Sequence, residues 1–383
     1  MPSPSFCDSL VEVMKQEKSK ALRVLVADDS PTFLAIIKDI LSKFKSIDEL
    51  RVVSSGMAAI EESRSFLPHL VFMDLKMPGI NGLEALAKIR EKDPEVDVVI
   101  ISGAAEDSAR LTIEAIKQGA LDFVCKPSTR SLEEMEDYFL SRLAPFIRRA
   151  AHRSVFHYPE DEEAGASSSH SSVSMETQAP SPSIAGRVEL VVIGVSTGAP
   201  KSLPELLSTL PRDLPVPILA LVDVPKVFLR FLGRLLITNS SIAVAEASDG
   251  DRLSPSRVLV AHTSAGIRLQ SQGGNLQTSI IQGEAKKGRL LDELLFSVAH
   301  TLDSGCLTAV LSGFGEDGLA GVERLRSLGG HYTLVQNPES ATAPERPGRL
   351  IQNGLADEVL SLGDLGPRIV ELVSPGAQNR SVK

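Results

Sequence analysis

Short, continuous apolar runs recur along the first third of the chain, each followed by a stretch with helical periodicity. The runs fall at 22–27, 51–54, 69–74, 96–101 and 121–125. Helical patterns lie between them at about 31–44, 56–66, 82–92 and 107–118, and a last one at about 131–149. A strand that is apolar along its whole length is covered on both faces, so these runs specify a parallel sheet flanked by helices. The expected fold is a five-strand doubly wound α/β unit with its site at the carboxyl ends of the strands. The alternation resumes at Val188, with strand-like runs at 188–193, 216–222, 257–261, 306–311 and 331–335. That predicts a second α/β domain with a mostly parallel sheet.

Between the two blocks, Pro159-Glu160-Asp161-Glu162-Glu163, the serine run from Ser167 to Ser172 and Pro180-Ser181-Pro182 cannot pack a core. The expected boundaries are an N-terminal extension at 1–20, a first domain at 21–150, a flexible linker at 151–187, a second domain at 188–375 and a tail at 376–383. His152, His157 and His170 fall in the linker at irregular spacing, which does not suit a metal site.

The net charge of −9 argues against nucleic acid or an anionic membrane as the main partner, and no helix-turn-helix signature follows the linker. Residues 1–20 are polar and carry no signal-peptide core, and no run reaches the roughly 20 apolar residues of a membrane span. The 3 cysteines, Cys7, Cys125 and Cys306, are widely separated, which excludes a disulfide scaffold or zinc ribbon and fits a reducing cytoplasm.

Asp28 and Asp29 end the first run, Asp74 ends the third, and Lys126 follows the fifth. In a parallel sheet these groups meet at one edge. Mg²⁺ takes oxygen ligands and keeps several waters, so Asp28, Asp29 and Asp74 suffice to hold it. A bound cation would make phosphoryl transfer to one carboxylate a matter of positioning and charge neutralisation. Ser102, after the fourth run, can hydrogen-bond a phosphate oxygen, and Lys126 offers a point charge.

The span Leu22 to Pro127 resembles response-regulator receiver domains. The matching pieces are Val26-Ala27-Asp28-Asp29-Ser30, Met73 to Gly79, Asn81-Gly82, Ser102 and Gly119 to Pro127. The resemblance implies phosphorylation at Asp74, metal binding at Asp28, Asp29 and Asp74, phosphate sensing by Ser102 and Lys126, and an aromatic switch residue at Phe123.

In the second block, Val191 to Pro200 reads as a strand, a glycine-flanked serine and a helix start. Such a turn exposes Ser196 at the sheet edge, with helix amides able to stabilise an oxyanion. It is also the form of a phosphate-binding turn or of a plain turn. A second glycine-rich turn, Leu311 to Gly321, carries Asp317.

The two-domain layout resembles the chemotaxis protein-glutamate methylesterases from Leu22 to about Val373. The resemblance implies a serine-hydrolase domain with Ser196 as nucleophile and Asp317 as triad acid. The implied reaction is hydrolysis of glutamate γ-methyl esters on methyl-accepting chemotaxis receptors, with glutamine deamidation beside it. A chemotaxis histidine kinase would be the phosphodonor, and Asp74 phosphorylation would uncover the site.

One departure bears on the chemistry. The family's base histidine falls at Asp223, in Val222-Asp223-Val224-Pro225. An aspartate with an ordinary pKa of about 3.9 accepts a serine proton poorly. His262 is the alternative base, while His300 and His331 are expected to be packing positions. The loops at 261–266 and 284–289 also depart from the family. The rival expectation is a catalytically silent module that binds receptors or a kinase.

Overall fold

The structure is a computed structural model that describes residues 22–103, 105–127, 131–156, 188–262, 266–281 and 289–374. The expected N-terminal extension and C-terminal tail, residues 157–187 of the expected linker and most of the 284–289 loop lie outside the described residues. The chain folds as two compact units.

The N-terminal part runs β1 (Leu22–Ala27), α1 (Pro31–Ser42), β2 (Ile47–Val53), α2 (Gly56–Phe66), β3 (Leu70–Met73), α3 (Gly82–Lys92), β4 (Asp97–Ser102), α4 (Glu106–Lys117), β5 (Asp122–Cys125) and α5 (Leu132–Phe156). All five strands are parallel, in the order β2-β1-β3-β4-β5. The order reverses between β1 and β3, which opens a crevice at their carboxyl ends. One sheet face buries Leu22, Val24, Phe72 and Val99 against Phe139, Leu143 and Phe146 of α5. Each such side chain contributes about 1.5–3 kcal/mol on leaving water.

Helix α5 continues past the boundary expected at 150. Arg149 Nε and Arg153 Nη1 both donate to the Asp97 carboxylate, at 3.3 and 2.9 Å, and these contacts hold the added turns against the sheet. Two local devices place the crevice loops. Ser30 caps α1 by accepting from the Phe33 amide, and Asn81 caps α3 by accepting from the Glu84 amide. Gly82 is required because a Cβ there would lie 2.0 Å from the Asp74 carbonyl oxygen.

The C-terminal part runs β6 (Leu190–Val195), α6 (Ala199–Ser208), β7 (Ile218–Val222), α7 (Lys226–Asn239), β8 (Ala243–Glu246), β9 (Arg257–His262), β10 (Gly266–Gln272), β11 (Asn275–Ile281), α8 (Leu290–Thr301), β12 (Cys306–Val310), α9 (Leu319–Leu328), β13 (Tyr332–Gln336), α10 (Glu345–Gln352), β14 (Glu358–Leu360) and α11 (Leu362–Val373). Seven strands form a fully parallel sheet, β14-β13-β12-β6-β7-β9-β8. Strands β10 and β11 form a separate antiparallel hairpin closed by Gly273-Gly274, both at positive φ. Leu291, Leu294 and Leu295 of α8 pack with Val192, Leu221 and Leu259 in one core cluster.

The order of this sheet reverses at β6, with β7 on one side and β12 on the other. Loops after β6 and β12 therefore flank the second crevice. His331, expected to pack, accepts from the Cys306 amide through Nδ1 at 3.3 Å. His300, also expected to pack, is instead exposed on the last turn of α8, because it falls off the apolar stripe of Leu291, Leu294, Leu295 and Val298. Cys125 and Cys306 are buried free thiols, each pushed up to about 12 chiefly by burial, which keeps them protonated.

Candidate functional site

The first crevice gathers Asp28, Asp29 and Asp74, with one carboxylate oxygen from each within 4.8 Å of the others. Asp28 is 1% and Asp74 7% exposed, while Asp29 is open to solvent. Lys126 Nζ bridges the two buried acids, at 2.5 Å from Asp28 Oδ2 and 3.4 Å from Asp74 Oδ1. The ammonium also lies 4.5 Å from the centre of the Phe33 ring, within cation–π range. The backbone fixes this set: the Asp74 amide donates to Ala27 O, and the Lys126 amide to Ser102 O, both at 2.8 Å. Burial pushes the Asp74 carboxyl up, Lys126 opposes the shift, and Asp28 adds to it. All-oxygen donors at this spacing, two of them buried and held by one lysine, suit a small hard cation. Ser102 is buried at the end of β4 and Phe123 is half-buried in β5.

The second crevice centres on Ser196, 4% exposed at the end of β6. Its amide donates to Ser312 O at 3.0 Å, which ties the turn to the loop after β12. Gly198 follows at φ +89 and caps α6, and a Cβ there would meet Thr342 Oγ1 at 2.8 Å. The tight turn aims the N-terminus of α6 toward Ser196. The Ser196 hydroxyl oxygen is buried and has no hydrogen-bond partner among the described residues.

Arg346, on the first turn of α10, is 6% exposed. A Cβ placed on Gly313 would be 2.5 Å from Ser196 Oγ and 2.8 Å from Arg346 Nη1, so both groups pack against this glycine and leave no room for a side chain there. The segment is clamped there. The Gly313 amide donates to Ala343 O, the Arg346 amide to Gly313 O, and Nε and Nη2 of Arg346 to Phe314 O. Burial pulls the Arg346 pKa down, while the charges of Asp317, Asp223 and Asp292 favour the cation. No motif marks Arg346 in the sequence. The available signal was a charge at the core-facing i, i+4 spacing with Leu350, and Arg346, Pro347 and Leu350 are the buried residues of α10.

Asp317 accepts from the Leu291 amide at 3.1 Å and from the Asp292 amide at 3.0 Å, capping α8. Asp292 reciprocates. Its Oδ1 accepts from the amides of Gly318 and Gly321, capping α9. Each acid thus sits at the positive end of the other's helix. Burial is the main cause of the raised Asp292 pKa, and the neighbouring Asp317 charge adds to it.

Asp223 follows β7, and its amide donates to Val195 O at 3.1 Å, so it stands one strand from Ser196. His262 ends β9 in register with Val222, hence on the opposite pleat face from Asp223. Burial lowers the His262 pKa, and the charges acting on it are Glu246 and Lys226. Those acting on Arg346 are Asp317, Asp223 and Asp292. The structure brings Ser196, Asp223, Asp317 and Arg346 into one neighbourhood, with His262 at the end of β9, the strand next to β7.

Residues 24–136 match the response regulator receiver domain family, and residues 191–369 match the CheB methylesterase family. A protein-glutamate methylesterase/protein-glutamine glutaminase of Trichodesmium erythraeum is 32% identical over 92% of this chain and 99% of its own length. One from Geobacter sulfurreducens is 30% identical over 94% of this chain and 99% of its own. The solved methylesterase catalytic domain of Thermotoga maritima CheB is 28% identical and covers 49% of this chain and 100% of that domain, with a TM-score of 0.46. The response regulator domain of the same CheB is 32% identical and covers 37% of this chain and all of that domain, with a TM-score of 0.30. With both domain matches in chain order and relatives matched over nearly their whole length, this chain belongs to the protein-glutamate methylesterase family of chemotaxis response regulators.

Proposed function

We propose that this chain is a phosphorylation-gated protein-glutamate methylesterase of methyl-accepting chemotaxis receptors, with protein-glutamine glutaminase activity beside it. The observation that carries the reading is the buried Ser196 hydroxyl, held at a strand-to-helix turn with the α6 N-terminus behind it. In the reaction, Ser196 Oγ gives up its proton and bonds to the ester carbonyl carbon, the C–OCH₃ bond breaks, and the leaving methoxide takes that proton to depart as methanol. Water then cleaves the acyl-serine bond to give the glutamate carboxylate. The α6 N-terminus supports the oxyanion of each step. Asp223 is the acid nearest in the sheet to take the serine proton, and Asp317 occupies the place of the family's triad acid.

The receiver is proposed to span 21–150 and the output domain 188–375, joined by a linker at 151–187 whose start is the end of α5. Asp74 takes the phosphoryl group from a chemotaxis histidine kinase, with Ser102 and Lys126 contacting the phosphate oxygens and Phe123 as the switch aromatic. Asp28, Asp29 and Asp74 would hold Mg²⁺, which neutralises charge on the transferring group when bound. Phosphorylation then shifts a population from a covered to an open output site. Among the described residues no helix is long and apolar enough to cross a membrane, and with the buried free thiols this supports a cytoplasmic setting.

A second reading is a module that binds the receptor without turnover. Asp223 in place of an imidazole favours it, since loss of a triad member commonly costs about 10⁴- to 10⁶-fold. The test is methanol release from methylated receptor by the full chain, with and without Mg²⁺ and a small phosphodonor, beside Ser196→Ala and Asp74→Asn. Release that needs Ser196 and rises with phosphodonor only when Asp74 is present is expected. No release from phosphorylated parent would leave the binding module, and stimulation that survives Asp74→Asn would remove the gating.

A further inference from the structure

We infer that His69 is an acid-sensitive latch of the receiver: a proton on its imidazole opens the start of the β1–β3 pair and weakens the grip on a divalent cation at the other end of those strands. His69 directly precedes β3. Its Nδ1 accepts from the Arg23 amide at 3.1 Å, and its own amide donates to Arg23 O at 2.9 Å. The ring thus takes the place of a backbone carbonyl at the first rung between the two strands. The His69 carbonyl accepts from the Asp97 amide at 3.3 Å, so the same residue also holds the start of β4. Strands β1 and β3 lead directly into Asp28 and Asp74, and β4 ends in Ser102. Only the 4 residues of β3, about 13 Å of strand, separate the latch from Asp74.

The bond selects a protonation state. An imidazole that accepts at Nδ1 is neutral and carries its hydrogen on Nε2. A second proton has to go to Nδ1, where it would point at the Arg23 N–H. The ring must then leave, and a backbone amide at the strand start loses its acceptor. Arg23, Asp93, Glu95, Asp97 and Arg153 line one pocket with the ring. Arg23 is fixed there by its guanidinium bonds to Phe66 O and Leu67 O. Asp97 is held by Arg149 and Arg153 of α5, and Glu95 by Arg153, so both carboxylates already face cations. Asp93 accepts from the Glu95 amide. Burial lowers the His69 pKa, Arg23 lowers it further, and Asp93 opposes them. The folded ring therefore binds its proton less tightly than the unfolded one. The latch is closed above the ordinary histidine value of about 6.5 and gives way as pH falls below it. That the crevice holds Mg²⁺ rests on the receiver reading above; the latch itself rests on this geometry.

His331 makes the same bond to the Cys306 amide, so whole-chain melting would mix two histidines. The test therefore reads the Arg23 amide in the full chain, by hydrogen exchange corrected for the intrinsic effect of pH on exchange. Its protection is expected to fall as pH is lowered from about 7.5 to about 5, by up to about tenfold per pH unit below 6.5. His69→Asn keeps an acceptor oxygen at the Nδ1 position and does not titrate, so it should hold its protection across the range. His69→Phe fills the pocket without an acceptor and should be unprotected at every pH. Mg²⁺ titration over the same range should show affinity falling more steeply in the parent than in His69→Asn. If neither variant folds, the ring ¹⁵N shifts of the parent decide. Hydrogen on Nε2 at neutral pH, with the Arg23 amide released as the ring protonates, is the expected result. Protection that ignores pH in the parent, an equal decline in His69→Asn, hydrogen on Nδ1 at neutral pH, or Mg²⁺ affinity with the same pH slope in parent and variant would overturn the proposal. No Mg²⁺ binding at any pH would sink the metal reading, while exchange of the Arg23 amide still decides the latch.

Discussion

Asp317→Ala separates two roles for one residue. In the structure Asp317 holds the first-turn amides of α8 at 3.1 and 3.0 Å, and α8 supplies Leu291, Leu294 and Leu295 to the core. A helix-cap truncation costs about 0.5–2 kcal/mol, and here two amides lose a charged acceptor at once. Relief of repulsion with Asp292 returns part of that. The expected loss is about 2 kcal/mol, or roughly 4–8 °C in the melting of a domain of this size. The assay is calorimetry of the full chain, following the transition that Ser196-side variants also shift. Asp317→Asn keeps one acceptor oxygen and should fall between the alanine variant and the parent. A residue that served only to orient a base would instead leave melting unchanged while methanol release collapses about 10⁴-fold. Unchanged melting of Asp317→Ala would refute the capping argument.

Asp292→Asn should make stability less dependent on pH. A raised aspartate pKa means the folded state binds the proton more tightly, so that contribution is full at low pH and is lost as pH rises through the elevated pKa. Melting followed from pH 4 to 8 should show a decline in the parent that is smaller in the variant, since Asn keeps the Oδ1 acceptor for Gly318 and Gly321. Gly313→Ala should lower methanol release by displacing the serine, because its methyl group would sit 2.5 Å from Ser196 Oγ; overpacking there costs about 1–3 kcal/mol in melting. Gly82→Ala, which would gain up to about 1 kcal/mol in an unhindered helix, should instead destabilise the receiver and weaken Mg²⁺ binding, since the added carbon would lie 2.0 Å from Asp74 O. Mg²⁺ titration and urea unfolding would check both effects.

The receiver crevice was legible because its chemistry sits at strand ends. Asp28, Asp74 and Lys126 each follow an apolar run, and a parallel sheet aligns such ends without further information. Ser196 was legible for the same reason. The hairpin β10–β11 did not stand out, because its strands are mixed in polarity and carry no continuous apolar run. Arg346 was not legible as a site residue. It comes from a helix distant in sequence, and only the clamp between Gly313 and Ala343 brings it to Ser196. Asp317 was marked as a triad acid by the family resemblance, and its capping contacts depend on α8, whose start lies elsewhere in the chain.

Asp223 and Arg346 change the electrostatics of the serine site together, so restoring one of them alone should not restore the chemistry. An imidazole at 223 works as a base by becoming a cation in the transition state. Beside the buried Arg346 that cation meets a like charge, where Asp223 now supplies an opposite one. At an effective dielectric of about 20, two like charges cost about 4 kcal/mol at contact distance and half that at twice the distance, and the smaller figure is roughly 30-fold in rate. Asp223→His also removes a counter-charge from a guanidinium already strained by burial. The double variant Asp223→His with Arg346→Met removes the repulsion and nearly conserves volume. It should therefore release methanol about 30-fold faster than Asp223→His alone, a gain that Arg346→Met by itself does not give. Equal rates for the single and double histidine variants would mean that Arg346 does not act on position 223, and that the base alone sets the activity of this domain.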